Sequence, residues 1–186
     1  MENIIKYLQL GFMHVIPLGF DHILFILSIF FLNSKLKSVV IQCSVFTVAH
    51  SLSLGLSTAG FIIPNSTYIE PLIAISILFT AIENIVSQKV NPWRLLIIFG
   101  FGLIHGLGFA TALSEIGIPK NQFFSSLLSF NLGVELGQIT IILLAYLLIS
   151  KWFSDKIWYK ERMVLPISSI IGCIALYWTI ERILLI

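Results

Sequence analysis

The sequence predicts an all-α polytopic membrane protein, a compact bundle of six transmembrane helices, and three observations carry that prediction. Of 186 residues, 58% are hydrophobic and 11% charged, with a mean hydropathy of +0.99; a soluble domain cannot hide so much apolar surface. The apolar runs are continuous over spanning lengths, whereas a transmembrane β-barrel would alternate apolar and polar positions over short strands. The basic residues fall almost entirely in alternate connections, the pattern that orients helical membrane proteins.

Residues 2–12 place Ile4, Ile5, Leu8 and Phe12 between Glu2, Asn3, Lys6 and Gln9, a spacing that predicts a short amphipathic helix lying in the membrane interface. This stretch has no apolar core, so an ordinary cleavable signal peptide is not expected. Pro17 and Gly19 interrupt regular structure, and the first span is placed at about 17–32. The second runs from about 36 to 59, closed by the turn Pro64-Asn65-Ser66. The third covers about 68–87 and ends at Gln88-Lys89-Val90-Asn91-Pro92. The fourth, about 93–116, is stopped by Gly117 and Pro119. The fifth covers about 122–149 and the sixth about 163–185, all in one transmembrane domain, 1–186. Cys43 and Cys173 stand in no metal or redox spacing and read as small core residues.

Lys35 and Lys37 lie between spans one and two, Lys89 and Arg94 between three and four, and Lys151, Lys156, Lys160 and Arg162 between five and six. The other connections hold only Lys120. The positive-inside rule makes the three basic connections cytoplasmic and puts both termini outside.

Ionisable groups are costly among hydrocarbon and face a partner, a cavity or an ion. The stretch His14-Val-Ile-Pro-Leu-Gly-Phe-Asp21-His22 places two imidazoles and a carboxylate within nine residues. With His50 and His105, all four histidines map to the middle or outer half of the membrane. In an unbroken helix His14 and Asp21 would lie about 10 Å apart along the axis. That is too far for one ion whose ligands bind at about 2 Å. His14 therefore serves a separate outer position, or joins because the chain is not helical between His14 and Gly19. Polar stripes on other spans point inward too: Thr47, His50 and Ser51; Ser76, Thr80, Glu83 and Asn84; Asn131, Glu135 and Gln138. Glu70 sits near an outer end, and Glu83 is placed to cap a helix or to pair with Lys89. Imidazole with carboxylate suits divalent nickel, cobalt, zinc or copper, and thiolates are absent from the polar faces. No phosphate-binding loop points to ATP, and no His-Glu-x-x-His motif to a metallohydrolase. The chain reads as a non-enzyme.

Six blocks in order resemble the HupE/UreJ family of bacterial nickel/cobalt permeases, in its shorter branch. They are Gly19-Phe-Asp21-His22-Ile-Leu-Phe, Phe46-Thr-Val-Ala-His50-Ser51 and Glu70-Pro-Leu-Ile-Ala-Ile-Ser76, followed by Ala81-Ile-Glu83-Asn84, Phe99-Gly-Phe-Gly-Leu-Ile-His105-Gly106-Leu-Gly-Phe-Ala and Phe130-Asn131-Leu-Gly-Val-Glu135-Leu-Gly-Gln138. The resemblance implies secondary uptake of nickel or cobalt across the bacterial inner membrane, with the His/Asp-His element of the first span as the essential site. The metal set is then Asp21, His22, His50, His105 and His14, with Glu135, Asn131, Gln138, Glu70, Glu83, Asn84 and Ser51 supporting or gating. The partners are the metal ion as substrate and the lipid bilayer, with no nucleic acid; a homo-oligomer is left open. The alternatives are a membrane haem protein, since histidines on facing helices can ligate haem iron, and a metal-dependent assembly subunit of a larger membrane complex.

Overall fold

The computed structural model describes residues 2–33, 35–87 and 92–184. They form α1 (Glu2–Val15), α2 (Phe20–Leu32), α3 (Leu36–Thr58), α4 (Ser66–Val86), α5 (Arg94–Ile116), α6 (Phe123–Phe153) and α7 (Lys160–Leu184), with a 3₁₀ turn at Lys120–Gln122. There is no strand among the described residues. Each of α3 to α7 is long and apolar enough to cross a membrane, and α1 with α2 make a sixth crossing bent by 68°. The all-α, six-crossing bundle expected from composition is the fold observed.

The helices associate mainly in pairs, α3 on α5, α1 on α6 and α4 on α7, with α2 between α4 and α6. Glycine sets the closest approaches. A Cβ on Gly106 would lie 2.3 Å from the His50 carbonyl oxygen, and one on Gly102 2.5 Å from that of Phe46. A Cβ on Gly133 would meet the Leu8 carbonyl at 2.1 Å, and one on Gly11 that of Phe130 at 1.9 Å. In hydrocarbon, helices gain little by hiding apolar side chains from lipid, so small residues that let backbones touch decide the packing.

The N-terminal segment corrects the sequence reading. Residues 2–12 were expected as an interfacial helix ahead of a first span at 17–32. Instead the helix continues to Val15 and lies along α6. Asn3 donates to Gln122 Oε1 at 2.6 Å near one end, and Val15 packs on Gly137 at the other. Those stretches cover about 18 Å of α1 and about 22 Å of α6, so the two helices run side by side in the same direction. Taken together, α1 and α2 are long and apolar enough for one crossing with a 68° bend in it. The buried face is Tyr7, Gly11 and Val15, while Ile4 and Ile5 are 48% and 57% exposed. The apolar residues face outward because lipid, not a protein core, is their solvent.

At the end of the bundle holding Lys35 and Lys160, Arg94 is buried at 2% exposure. Its Nε donates to Gln42 Oε1 at 2.6 Å, and its Nη1 forms an ion pair with Glu83. A buried guanidinium persists because it is paired and hydrogen-bonded. Glu83 thus has Arg94 as its partner; its expected partner Lys89 lies outside the described residues. At the opposite end, Arg182 Nη1 pairs with Glu70 Oε2 at 3.2 Å and donates to the Glu70 carbonyl at 2.9 Å. Of the two cysteines, Cys43 is buried as expected but Cys173 is exposed on α7.

Candidate metal centre

The break in the first crossing builds the centre. Pro17 has no amide hydrogen to continue α1. The chain turns back through Leu18, whose amide donates to the Met13 carbonyl at 3.2 Å. Gly19 is required by close approach: a Cβ there would lie 2.2 Å from the His14 carbonyl oxygen. The bend puts His22, at the start of α2, beside His14 at the end of α1, with ring centroids 4.6 Å apart. Of the two arrangements the sequence allowed, the chain adopts the one that joins His14 to the cluster.

The other two histidines arrive on the α3/α5 pair. His50 lies 5.7 Å from His22 and 5.9 Å from His14 between centroids, and His105 lies 5.2 Å from His22. His22, His50 and His105 are each 2% exposed or less. Two triads bring single ligand atoms within 4.8 Å of one another: His14, His22 and His50; and Asp21, His22 and His105. Three ligands about 2 Å from one ion would stand about 3.3 Å apart, so side-chain shifts of about 1 Å close either triad. Asp21, His14, His22 and His105 also line a cavity of about 380 Å³ that Glu70 and Phe109 share.

The acceptors beside three of the imidazoles assign each of them a proton position. His22 Nδ1 faces Asp21 Oδ1 at 3.2 Å, an acceptor, and so holds the hydrogen. Asn131 spends its Nδ2 on the Leu127 carbonyl at 2.8 Å, leaving Oδ1 to accept from His50 Nδ1 at 3.4 Å. Ser76 donates its hydroxyl hydrogen to the Ile73 carbonyl at 2.7 Å and accepts from His105 Nε2 at 2.9 Å. The opposite nitrogens are then lone-pair acceptors. His22 Nε2, His50 Nε2 and His105 Nδ1 are indeed buried without a partner, as is His14 Nε2. A partner that holds one ring nitrogen's proton and aims the other is the usual support of a metal-binding histidine.

The remaining candidate residues divide. Asn131 and Asp21 support the histidines directly, and Glu70 lines the cavity on its Arg182 contact. Ser51 donates to its own helix, at the Thr47 carbonyl 2.7 Å away. Asn84 donates to the Ser28 carbonyl at 2.9 Å and to Ser168 Oγ at 3.1 Å, apart from the cluster. Glu83 is held by Arg94. Glu135 and Gln138 contact Ser44 and Thr47 rather than any histidine.

Four contributors were not assigned to the centre from sequence. Ser76 was legible as inward-facing, since it shares a stripe with Thr80 and Glu83, but nothing marked it as the partner of His105. Phe109 lies 3.9 Å from His14 between centroids, and Phe25 and Phe46 lie 5.2 Å and 5.0 Å from His105. These rings give the imidazoles an apolar wall, and low-dielectric surroundings strengthen electrostatic contacts beside them. The imidazoles crowd one small volume edge to face, an arrangement for a single ion rather than for a planar macrocycle between two of them.

Comparison with curated proteins and with solved structures returns no match. The family model described as HupE / UreJ protein matches residues 1–182. A permease family, a multi-pass helical bundle and a buried His/Asp cluster able to hold a metal ion agree with one another, and the chain belongs to the HupE / UreJ protein family.

Proposed function

We propose that the chain is a secondary permease that takes up a divalent transition-metal ion, with nickel or cobalt favoured, across the bacterial inner membrane. The ion binds the cluster of His14, Asp21, His22, His50 and His105. The observation that carries this reading is the set of buried imidazole nitrogens left with free lone pairs because Asp21, Asn131 and Ser76 hold the opposite protons. Nitrogen donors with one carboxylate and no thiolate suit nickel, cobalt, zinc and copper, and bind less tightly than a cysteine cage, as a carrier that must release its ion requires. The basic end of the bundle, with Lys35, Arg94 and Lys160, is cytoplasmic by the positive-inside rule. An inside-negative potential then favours inward movement of a dication by about 4–5 kcal/mol per 100 mV, so uptake runs without ATP.

The test is uptake of nickel, cobalt, zinc and copper by cells with and without the protein, alongside metal analysis of purified material. His22→Ala and Asp21→Ala are expected to lower uptake at least a hundredfold while the protein still folds. Undiminished uptake in both variants would sink the proposed site. A Soret band in the purified protein would instead favour the haem reading.

A further inference from the structure

Towards the basic end from His50, α3 and α6 face each other through a run of polar side chains. Thr47 Oγ1 donates to Gln138 Oε1 at 3.2 Å, and Ser44 Oγ donates to Glu135 Oε1 at 2.7 Å. With His50 and Asn131 these make a continuous polar seam; from His50 to Ser44 it extends about 9 Å along α3. Gln138 is fully buried and Thr47 is 8% exposed. Two atoms in the seam, Glu135 Oε2 and Gln138 Nε2, are buried without a partner.

Glu135 differs from Glu83 and Glu70. Glu83 has Arg94 and Glu70 has Arg182, whereas no lysine or arginine pairs with Glu135 among the described residues. A single serine hydroxyl does not offset the removal of a carboxylate from water, and such a group in a membrane span marks a place where a cation is handled. Its unpartnered oxygen, on the Ser44 contact about 9 Å along α3 from His50 towards the basic end, is an acceptor held ready.

We propose that Glu135 is a second station for the transported dication. The ion, on leaving the histidines, is received by Glu135 Oε2, with the Ser44 and Thr47 hydroxyls and the Gln138 side-chain oxygen beside it. This rests on the reading of the histidine cluster as the uptake site. Oxygen donors hold a nickel or cobalt ion more weakly than imidazoles do, so the order of the two stations runs from tighter to looser towards the cytoplasm.

The test counts Co(II) equivalents bound by the purified full chain in calorimetric titration and follows Co(II) flux into proteoliposomes under an inside-negative potential. The wild type is expected to show a tight and a weaker binding class. Glu135→Gln loses the weaker class and slows flux tenfold or more, with the tight class unchanged, and Glu135→Asp restores part of the flux. Ser44→Ala, which removes the hydroxyl but keeps the carboxylate, slows flux less than threefold. Flux at the wild-type rate in Glu135→Gln, or retention of both classes, overturns the proposal. So does a Ser44→Ala defect as large as that of Glu135→Gln, because it marks Glu135 as a helix tie. If Glu135→Gln does not fold, Glu135→Asp decides: a weakened second class supports the station and unchanged binding overturns it. Tight binding that survives in His22→Ala refutes the histidine site instead, and leaves the Glu135 result to be judged separately.

Discussion

Helix α3 meets two neighbours in opposite ways, and the contrast separates what holds the bundle together from what handles the ion. Against α5 it is joined by backbone contact, with Gly102 and Gly106 set against the carbonyls of Phe46 and His50. Against α6 it is joined by side-chain polar pairs, His50 with Asn131, Thr47 with Gln138 and Ser44 with Glu135. The first contact tolerates no added atom and gives dispersion over the whole interface. The second consists of hydrogen bonds that can be exchanged one at a time for a bond to an ion. Rigidity and exchange are thus assigned to different faces of one helix.

The contrast can be broken most severely at the glycine contact. Gly106→Val would drive a side chain into the His50 carbonyl and Ser53 Oγ; overpacking of this kind costs about 1–3 kcal/mol or more. The expected result is little or no folded protein by size-exclusion chromatography in detergent, and a monodisperse protein of unchanged thermal stability would refute the rigid-seam reading. At the polar contact the fold should survive and affinity should fall. Asn131→Ala removes the group that orients His50, and loss of such support costs about tenfold in metal affinity. Calorimetric titration checks this, and an unchanged dissociation constant would show that His50 needs no orienting partner. Smallest of all is Gly100→Ala. This glycine is on α5 but has no atom within 4 Å of an added Cβ, and alanine is favoured over glycine in helices by about 1 kcal/mol. Thermal unfolding should show an equal or slightly higher midpoint; a marked drop would mean that α5 glycines matter for a reason other than close packing.

The fold was largely legible in the sequence, since long apolar runs and alternating basic connections are properties of single segments. The candidate site was legible in part. Helical spacing placed His50, Ser76, Asn131 and Glu135 on inward faces, but pairing across helices depends on which backbones touch, and periodicity within one segment does not carry that. Hence Asn131 with His50, Ser76 with His105 and Arg94 with Glu83 had to come from the structure. The reading of α1 failed for a sharper reason. Its packing face runs through Tyr7, Gly11 and Val15, and glycine has no hydrophobic weight. The more apolar Ile4 and Ile5 mark the lipid side, so the positions that predict an interfacial helix do not mark the face that packs on α6.

The interruption at Ile16–Gly19 has a mechanical consequence. His14 travels with α1, which is bound to α6, whereas His22 travels with α2, which also packs on α4. His50 and His105 belong to the α3/α5 pair. On the proposed reading, an ion held by these side chains would tie together α1, α2 and the α3/α5 pair at one point.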